Sequence, residues 1–326
     1  MMPGTSKRRG FRSMAVPVAF LVVLEVAAPS ASIRDSPVTQ SQAVQLQMRN
    51  VNFRVTRTIH LQIRRLRGEM FPTNQAALIT FDDKNSFLTR VESAEIAISD
   101  NCLSELLNEY VFAYPHAALK RLKVEFEGDR LRLSGTMHKG IDMPFEVTGT
   151  VSATPDGNVQ MHADKIKSAH IPLTGLLHLF GERLSKLVNA NEARGLKIIG
   201  DDIVLYPGRI IPPPHIEGSV SRVRVEQHKI VLTFESAKRL PALTPPVEAQ
   251  NYIYHRGGVL RFGKLTMADS DLEIVDQDPK SLFDFFLADY NHQMAAGYSK
   301  NTPSYGFIVY MPDYYEVESA RKRSSR

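Results

Sequence analysis

Ten histidines punctuate this 326-residue chain one at a time: His60, His116, His138, His162, His170, His178, His215, His228, His255 and His292. Imidazoles carry acid–base or metal chemistry when neighbours orient them. None of these forms a His-x-x-x-His pair, and no His-Glu-x-x-His segment occurs, so the local signature of a zinc hydrolase is missing. Asp269, Asp271, Asp276 and Asp278 offer oxygens that calcium favours, but without the loop glycine and closing glutamate of a calcium loop. A solvated acidic turn accounts for them. Gly257-Gly258 and Gly263-Lys264 lack the spacing of a phosphate loop, and there is no Gly-x-Ser-x-Gly elbow. Cys102 is the only cysteine, which excludes an intramolecular disulfide and a cysteine metal cluster. Beside an apolar helical face it fits a buried small hydrophobe. These residues supply no catalytic motif, metal set or cofactor pattern, and the expected protein is not an enzyme.

The basic residues allow a different kind of contact. Arg54 and Arg64 lie on the polar face of the first strand, with Arg65 and Arg67 just after it. Such residues are worth about 1 kcal/mol each near an anionic membrane surface, although a solvated face presents the same pattern. Lys120, Arg121 and Lys123 form a second cluster. No aromatic residues interleave with the arginines as a nucleic-acid stacking platform requires, so nucleic acid is not an expected partner. The formal charge is +5. Lys7, Arg8, Arg9 and Arg12 supply four of the positive charges against Glu25, so the rest of the chain is near +2 by the same count.

Those four residues precede an apolar run, Met14–Ala28, and the small residues Pro29-Ser30-Ala31-Ser32. The run is shorter than the ~20 residues of a spanning helix, and residues 1–32 read as an export signal, with an uncleaved anchor as the alternative. The expected location is the periplasm or cell envelope. Residues 33–49 read as a linker, 50–236 as the main domain, 250–315 as a smaller α/β extension, and 316–326 as a disordered basic tail. The composition break at Pro241–Pro246 marks the expected boundary.

Two amphipathic segments stand out as helices. In Asp100–Tyr114, Leu103, Leu106, Leu107, Tyr110, Val111 and Tyr114 share one face. In Leu173–Val188, Leu173, Leu176, Leu177, Phe180, Leu184, Leu187 and Val188 repeat the pattern. Ser99 or Asp100 can cap the first. Around them lie period-two strands: Val51–Ile63, with Arg57 as the one exception on its apolar face; Phe87–Ile98; and a hairpin of Leu122–Phe126 with Leu131–Leu133 about Glu127-Gly128-Asp129. Ile141–Val151 and Val159–Ile166 flank a turn at Pro155-Asp156-Gly157. Further strands are expected at Leu196–Ile199, Ile203–Tyr206, Val220–Val225, Ile230–Phe234, Tyr252–Thr266, Leu272–Val275 and Phe307–Met311, with a third helix at Pro279–Ala296. Strands and helices do not alternate singly, so the expected class is α+β: a long curved antiparallel sheet wrapped around two amphipathic helices.

The succession Ala94–Asp100 into a helix, then Leu122–Gly135, Met143-Pro144-Phe145-Glu146-Val147 and the helix from Ile171-Pro172-Leu173 resembles the LmeA-type phospholipid-binding family. That family is similar in architecture to tubular lipid-binding domains. Over residues 50–236 the resemblance implies a phospholipid or fatty-acyl ligand held between sheet and helices. The groove would be lined by Leu103, Leu106, Leu107, Tyr110 and Val111 of the first helix. Leu176, Leu177, Phe180 and Leu184 of the second would join Phe126, Leu133, Phe145 and Val147 of the sheet. The alternative is a scaffold or interaction module in which the same stripes are simply core.

Overall fold

A computed structural model describes residues 43–73, 78–139, 141–168 and 194–324, all within one compact unit, Gln40–Arg326. The stretch read as an export signal, and the one read as a second amphipathic helix with Leu173, Leu176, Leu177, Phe180, Leu184, Leu187 and Val188, lie outside the described residues. Strand dominates, and the expected sheet wrapped around two long helices is not what forms. There are two sheets instead.

The larger sheet begins with β1 (Val44–Arg54) and β2 (His60–Pro72), an antiparallel hairpin. Its order continues through β4 (Phe87–Ser99), β13 (Lys229–Glu235) and β12 (Val220–Glu226) on one side. On the other side come β14 (Tyr252–Phe262), β15 (Leu265–Asp276), β18 (Phe307–Met311) and β17 (Tyr298–Asn301). Three short strands pair in parallel off this path: β3 (Ile79–Thr80) on β14, β11 (His215–Glu217) on β4, and β16 (Phe283–Phe286) on β1. The smaller sheet, a curled half-barrel, runs in the order β5 (Leu119–Glu127), β6 (Arg130–Lys139), β7 (Ile141–Ala153), β8 (Val159–Ser168), β10 (Asp202–Leu205), β9 (Leu196–Ile199).

Several expectations need correcting. Val51–Ile63 is not one strand. It is the end of β1, a turn, and the start of β2, with Val55 and Ile59 both buried. The parity of the alternation survives the turn, which hides it; Arg57 breaks the pattern because it is the exposed tip. β1 already starts at Val44, inside the stretch read as linker. Pro241–Pro246 is not a domain boundary. β14, beyond it, pairs with β1, so the C-terminal part completes the first sheet rather than forming an extension. The segment 236–250 is a strap over that sheet, held by Arg67 to the Leu240 and Pro241 carbonyls, Lys238 to Glu69, and the Val247 N–H to Glu273. Pro279–Ala296 is not one helix: β16 and a 3₁₀ turn at Leu287–Asp289 precede α3 (Tyr290–Ala296). All four side chains of β16 are buried, so it shows neither strand alternation nor helical period. The basic tail is ordered as α4 (Tyr314–Ser324), anchored by the buried Tyr314 and Val317. One further turn of helix, α2 (Pro207–Ile210), precedes β11.

The strands bend where their alternation slips. On β1 buried Met48 is followed by buried Val51, across Asn50 at φ 53. Opposite it, β2 slips from Ile63 to Leu66. Both strands change phase together, so their apolar side chains stay inward across the bend. Asn tolerates the left-handed conformation better than most residues.

Two further register shifts, at Arg67/Gly68 on β2 and Thr148/Gly149 on β7, place a glycine against the next strand's backbone. A Cβ on Gly149 would lie 2.0 Å from the His162 carbonyl oxygen, and one on Gly68 2.4 Å from that of Arg90. Neither backbone can yield without parting the strands. Gly149→Ala is therefore expected to cost about 1–3 kcal/mol, read as a lower urea midpoint. An unchanged midpoint would mean that the half-barrel tolerates separation there.

Candidate functional site

The helix that follows β4 joins the two sheets. Ser99 caps it, its hydroxyl accepting the Cys102 N–H at 3.1 Å. The helix is regular only over α1 (Asp100–Leu106); Leu107–Val111 is a π-helical turn, and Tyr114 lies beyond its end. One face is apolar, with Leu103, Leu106, Leu107 and Val111 all buried. Tyr110 and Tyr114 pack against the same core, half-buried.

The polar flank of this helix does unexpected work. β5 is an edge strand of the half-barrel, and its outer backbone groups need partners. Asn108 answers with both ends of its amide: Nδ2 donates to the Leu122 carbonyl at 2.7 Å, and Oδ1 accepts the Leu122 N–H at 2.9 Å. One turn earlier, the Ser104 hydroxyl accepts the Val124 N–H at 2.8 Å. On the helix's other side, Cys102 donates its thiol to the His60 carbonyl and accepts the His60 N–H. The cysteine is buried as expected, and burial pushes its thiol pKa up, but it also stitches the helix to β2. Sequence reasoning missed Ser104 and Asn108; their i, i+4 spacing beside the apolar stripe was the available signal.

Between this helix and the concave side of the half-barrel lies an apolar cleft. Leu103, Leu107 and Phe112 form one wall. Leu119 and Val124 of β5, Leu131 and Leu133 of β6, Val151 of β7, and Val159 and Met161 of β8 form the other. Leu196, Ile198, Ile203 and Leu205 of β9 and β10 continue it, and Ile230 of β13 closes one end. Every described lining residue is apolar, and about 50 Å³ stays empty.

Of the expected groove residues, Leu103, Leu107 and Leu133 line this cleft. Leu106, Val111, Phe145 and Val147 are buried in the surrounding core, and Tyr110 and Phe126 pack half-buried against it. Leu176, Leu177, Phe180 and Leu184 lie outside the described residues. The strands β8 to β10 contribute more of the lining than expected, because the curl of the sheet brings its far strands round to face the helix.

The four arginines considered for a membrane surface each have a carboxylate within reach. Arg54 pairs with Asp284 at 2.6 Å; Arg64 pairs with Glu95 and Glu226, both at 2.6 Å; Arg65 reaches Glu95 at 3.4 Å. Arg67 reaches Glu92 at 3.7 Å besides the strap carbonyls. Hydrogen bonds from Arg64 hold the Glu95 and Glu226 carboxyls below their ordinary range. Asp269, Asp271, Asp276 and Asp278 are strung along and just past β15, where Asp271 accepts from Tyr254 and Asp276 from Asn251. Among the described residues no group of three His, Cys, Asp or Glu side chains could hold a metal ion.

Two buried ionisable groups sit under the larger sheet's two faces. His255 faces a second apolar cavity of about 40 Å³ beside Phe81, its Nδ1 without a partner. Burial pushes its pKa down to about 3. Glu273, paired across from Tyr254, takes the strap's Val247 N–H at 2.8 Å, and burial pushes it up to about 7. The signs follow from proton binding. The folded protein holds His255 neutral, so stability falls as pH drops below 6.5 toward about 3. It holds Glu273 protonated, so that contribution is full below 4.5 and is lost as pH rises through about 7.

Two measurements follow. In urea titrations across pH, Glu273→Gln should flatten the decline between pH 4.5 and 7, and His255→Phe should flatten the acid limb; unchanged pH profiles would refute the assignments. Asn108→Ala should cost about 1–3 kcal/mol, because it strands buried backbone groups of Leu122. A loss no larger than that of a surface alanine substitution would show water serving this edge equally well.

Among the described residues no helix is long and apolar enough to cross a membrane. Compared with known proteins, the chain matches no family model, no curated protein and no solved structure.

Proposed function

We propose that this protein binds an apolar, acyl-chain ligand in the cleft between its half-barrel and the helix after β4, as a non-enzymatic carrier or sensor. The observation that carries this reading is the lining: helix and strands meet there through apolar side chains alone. Burial of a hydrocarbon chain needs no polar contact, since each methylene removed from water is worth about 0.8 kcal/mol. The resemblance to the LmeA-type family points the same way. The basic, apolar N-terminal stretch, read as an export signal, supports the cell envelope as the place where such a carrier works.

One observation favours a second reading, a structural module filled by its own side chains. The empty volume is about 50 Å³, against the ~150 Å³ of a dry cavity that takes up benzene. An acyl chain therefore enters only if a wall moves. The stretch after Asn108, the end of the π-helical turn and Phe112 beyond it, is the wall element placed to do so, and such turns recur at functional sites.

Native mass spectrometry of the purified protein and uptake of a fluorescent fatty acid separate the two readings. Bound lipid, or saturable uptake that weakens about tenfold for each two carbons removed from the chain, is the expected result. Leu133→Asn should abolish it, whereas Ile141→Ala, at an exposed position, should not. A lipid-free protein with no uptake would sink the ligand reading and leave the packed module.

A further inference from the structure

Away from the cleft, a bowl of about 290 Å³ opens between α4, the Asp289 turn and the tip of the β1–β2 hairpin. Tyr314, Glu318, Arg321 and Lys322 line it, a spacing that puts them on one face of α4. Arg57 and Asp289 stand on the other walls. Two of the three cations are braced. Arg321 lies 3.3 Å from Asp289, which also pairs with His292, and Lys322 lies 3.1 Å from Glu318. Bracing holds these heads at the bowl's lining, and the Arg321 guanidinium, with five N–H groups, keeps donors beyond its pair with Asp289.

The third cation is different. Arg57 makes no ion pair with a described residue; its backbone carbonyl, not its side chain, takes the hydrogen bond from Arg54. Tyr314 adds an independent sign. It is 4% exposed, its ring packed on Phe286 at 4.9 Å and under the Arg54 guanidinium at 5.5 Å. Its hydroxyl has no hydrogen-bond partner among the described residues. The ring is buried but the hydroxyl is not among the fully buried atoms lacking a partner, so its O–H stays open to solvent where the residue borders the bowl. The lining thus has three cations against two carboxylates and a free O–H.

We propose that this bowl binds a phosphate group, with Arg57 and the Tyr314 hydroxyl as its donors and Arg321 and Lys322 as flanking charge. Guanidinium forks match phosphate oxygens in pairs, and the bowl has room for a phosphomonoester head. Burial, then the neighbouring Glu318, keeps the Tyr314 phenol protonated and able to donate. The site lies apart from the apolar cleft and does not depend on what that cleft holds. The phosphate can be free or can belong to a lipid headgroup, and the test separates them.

Calorimetric titration of the full chain with inorganic phosphate is one arm. The other is flotation with phosphatidylcholine vesicles, with and without phosphatidic acid. Saturable binding in the first arm alone assigns free phosphate; binding to the phosphatidic-acid vesicles, and not to plain ones, assigns a headgroup. In either arm Arg57→Ala and Tyr314→Phe are each expected to weaken binding about tenfold. Arg57 is exposed in a turn, and Tyr314→Phe keeps the packed ring, so both variants should fold. Binding in neither arm, or binding that both variants leave unchanged, would overturn the proposal.

Discussion

A curled sheet that does not close leaves two edge strands with unpaired backbone groups, and much of this molecule is arranged around how one of them is covered. β5 is that strand. Ser104 and Asn108 give it the hydrogen bonds a neighbouring strand would have given. Because the helix carrying them grows straight out of β4, the same bonds that protect the edge also hold the half-barrel against the larger sheet. The apolar stripe of the helix then has to face the concave side of the half-barrel. The cleft is a consequence of that geometry.

The second hydrogen-bonded seam, between Cys102 and His60, fixes the other side of the helix to the strand after the hairpin turn. Between the two seams the helix has little freedom to roll. What lies past both seams is the end of the helix after Asn108, where the π turn spreads the regular spacing of Tyr110 and Val111. A pinned start and a widened end suit a wall that holds the fold together and that, in the proposed function, has to move for a ligand to enter. The larger sheet serves a different role. Its outer face is a lattice of ion pairs, Arg64, Arg65 and Arg224 with Glu95 and Glu226, capped by the proline-rich strap.

Much of the local structure was legible. The Glu127-Gly128-Asp129 hairpin, a helix cap at Ser99 or Asp100, the strand leading into it, and the buried state of Cys102 all follow from residue type and spacing, and the structure has them, with Ser99 as the cap. That Leu103, Leu107 and Leu133 turn inward was legible as well, and they line the apolar cleft. The arginines were not. Arg54 and Arg64 look solvated in the chain because their acidic partners, Asp284 and Glu226, are far away in sequence. The same distance hides the lining from β9 and β10, whose short strands carry no label saying which surface they will face.

The amino-acid order by itself determined the faces: which side chains of each strand turn inward, where a helix starts, which turns reverse the chain. Period-two and helical spacing are local and survive any arrangement of the elements. What only the tertiary structure decided was the neighbours. An alternating strand reads the same whether it continues or turns back, as Val51–Ile63 does around Arg57, and it specifies a face without specifying a partner. That β14 pairs with β1 across some 200 residues, and that Asn108 finds the edge of β5, depends on long-range hydrogen bonding and burial. Those contacts exist only once the chain has closed on itself.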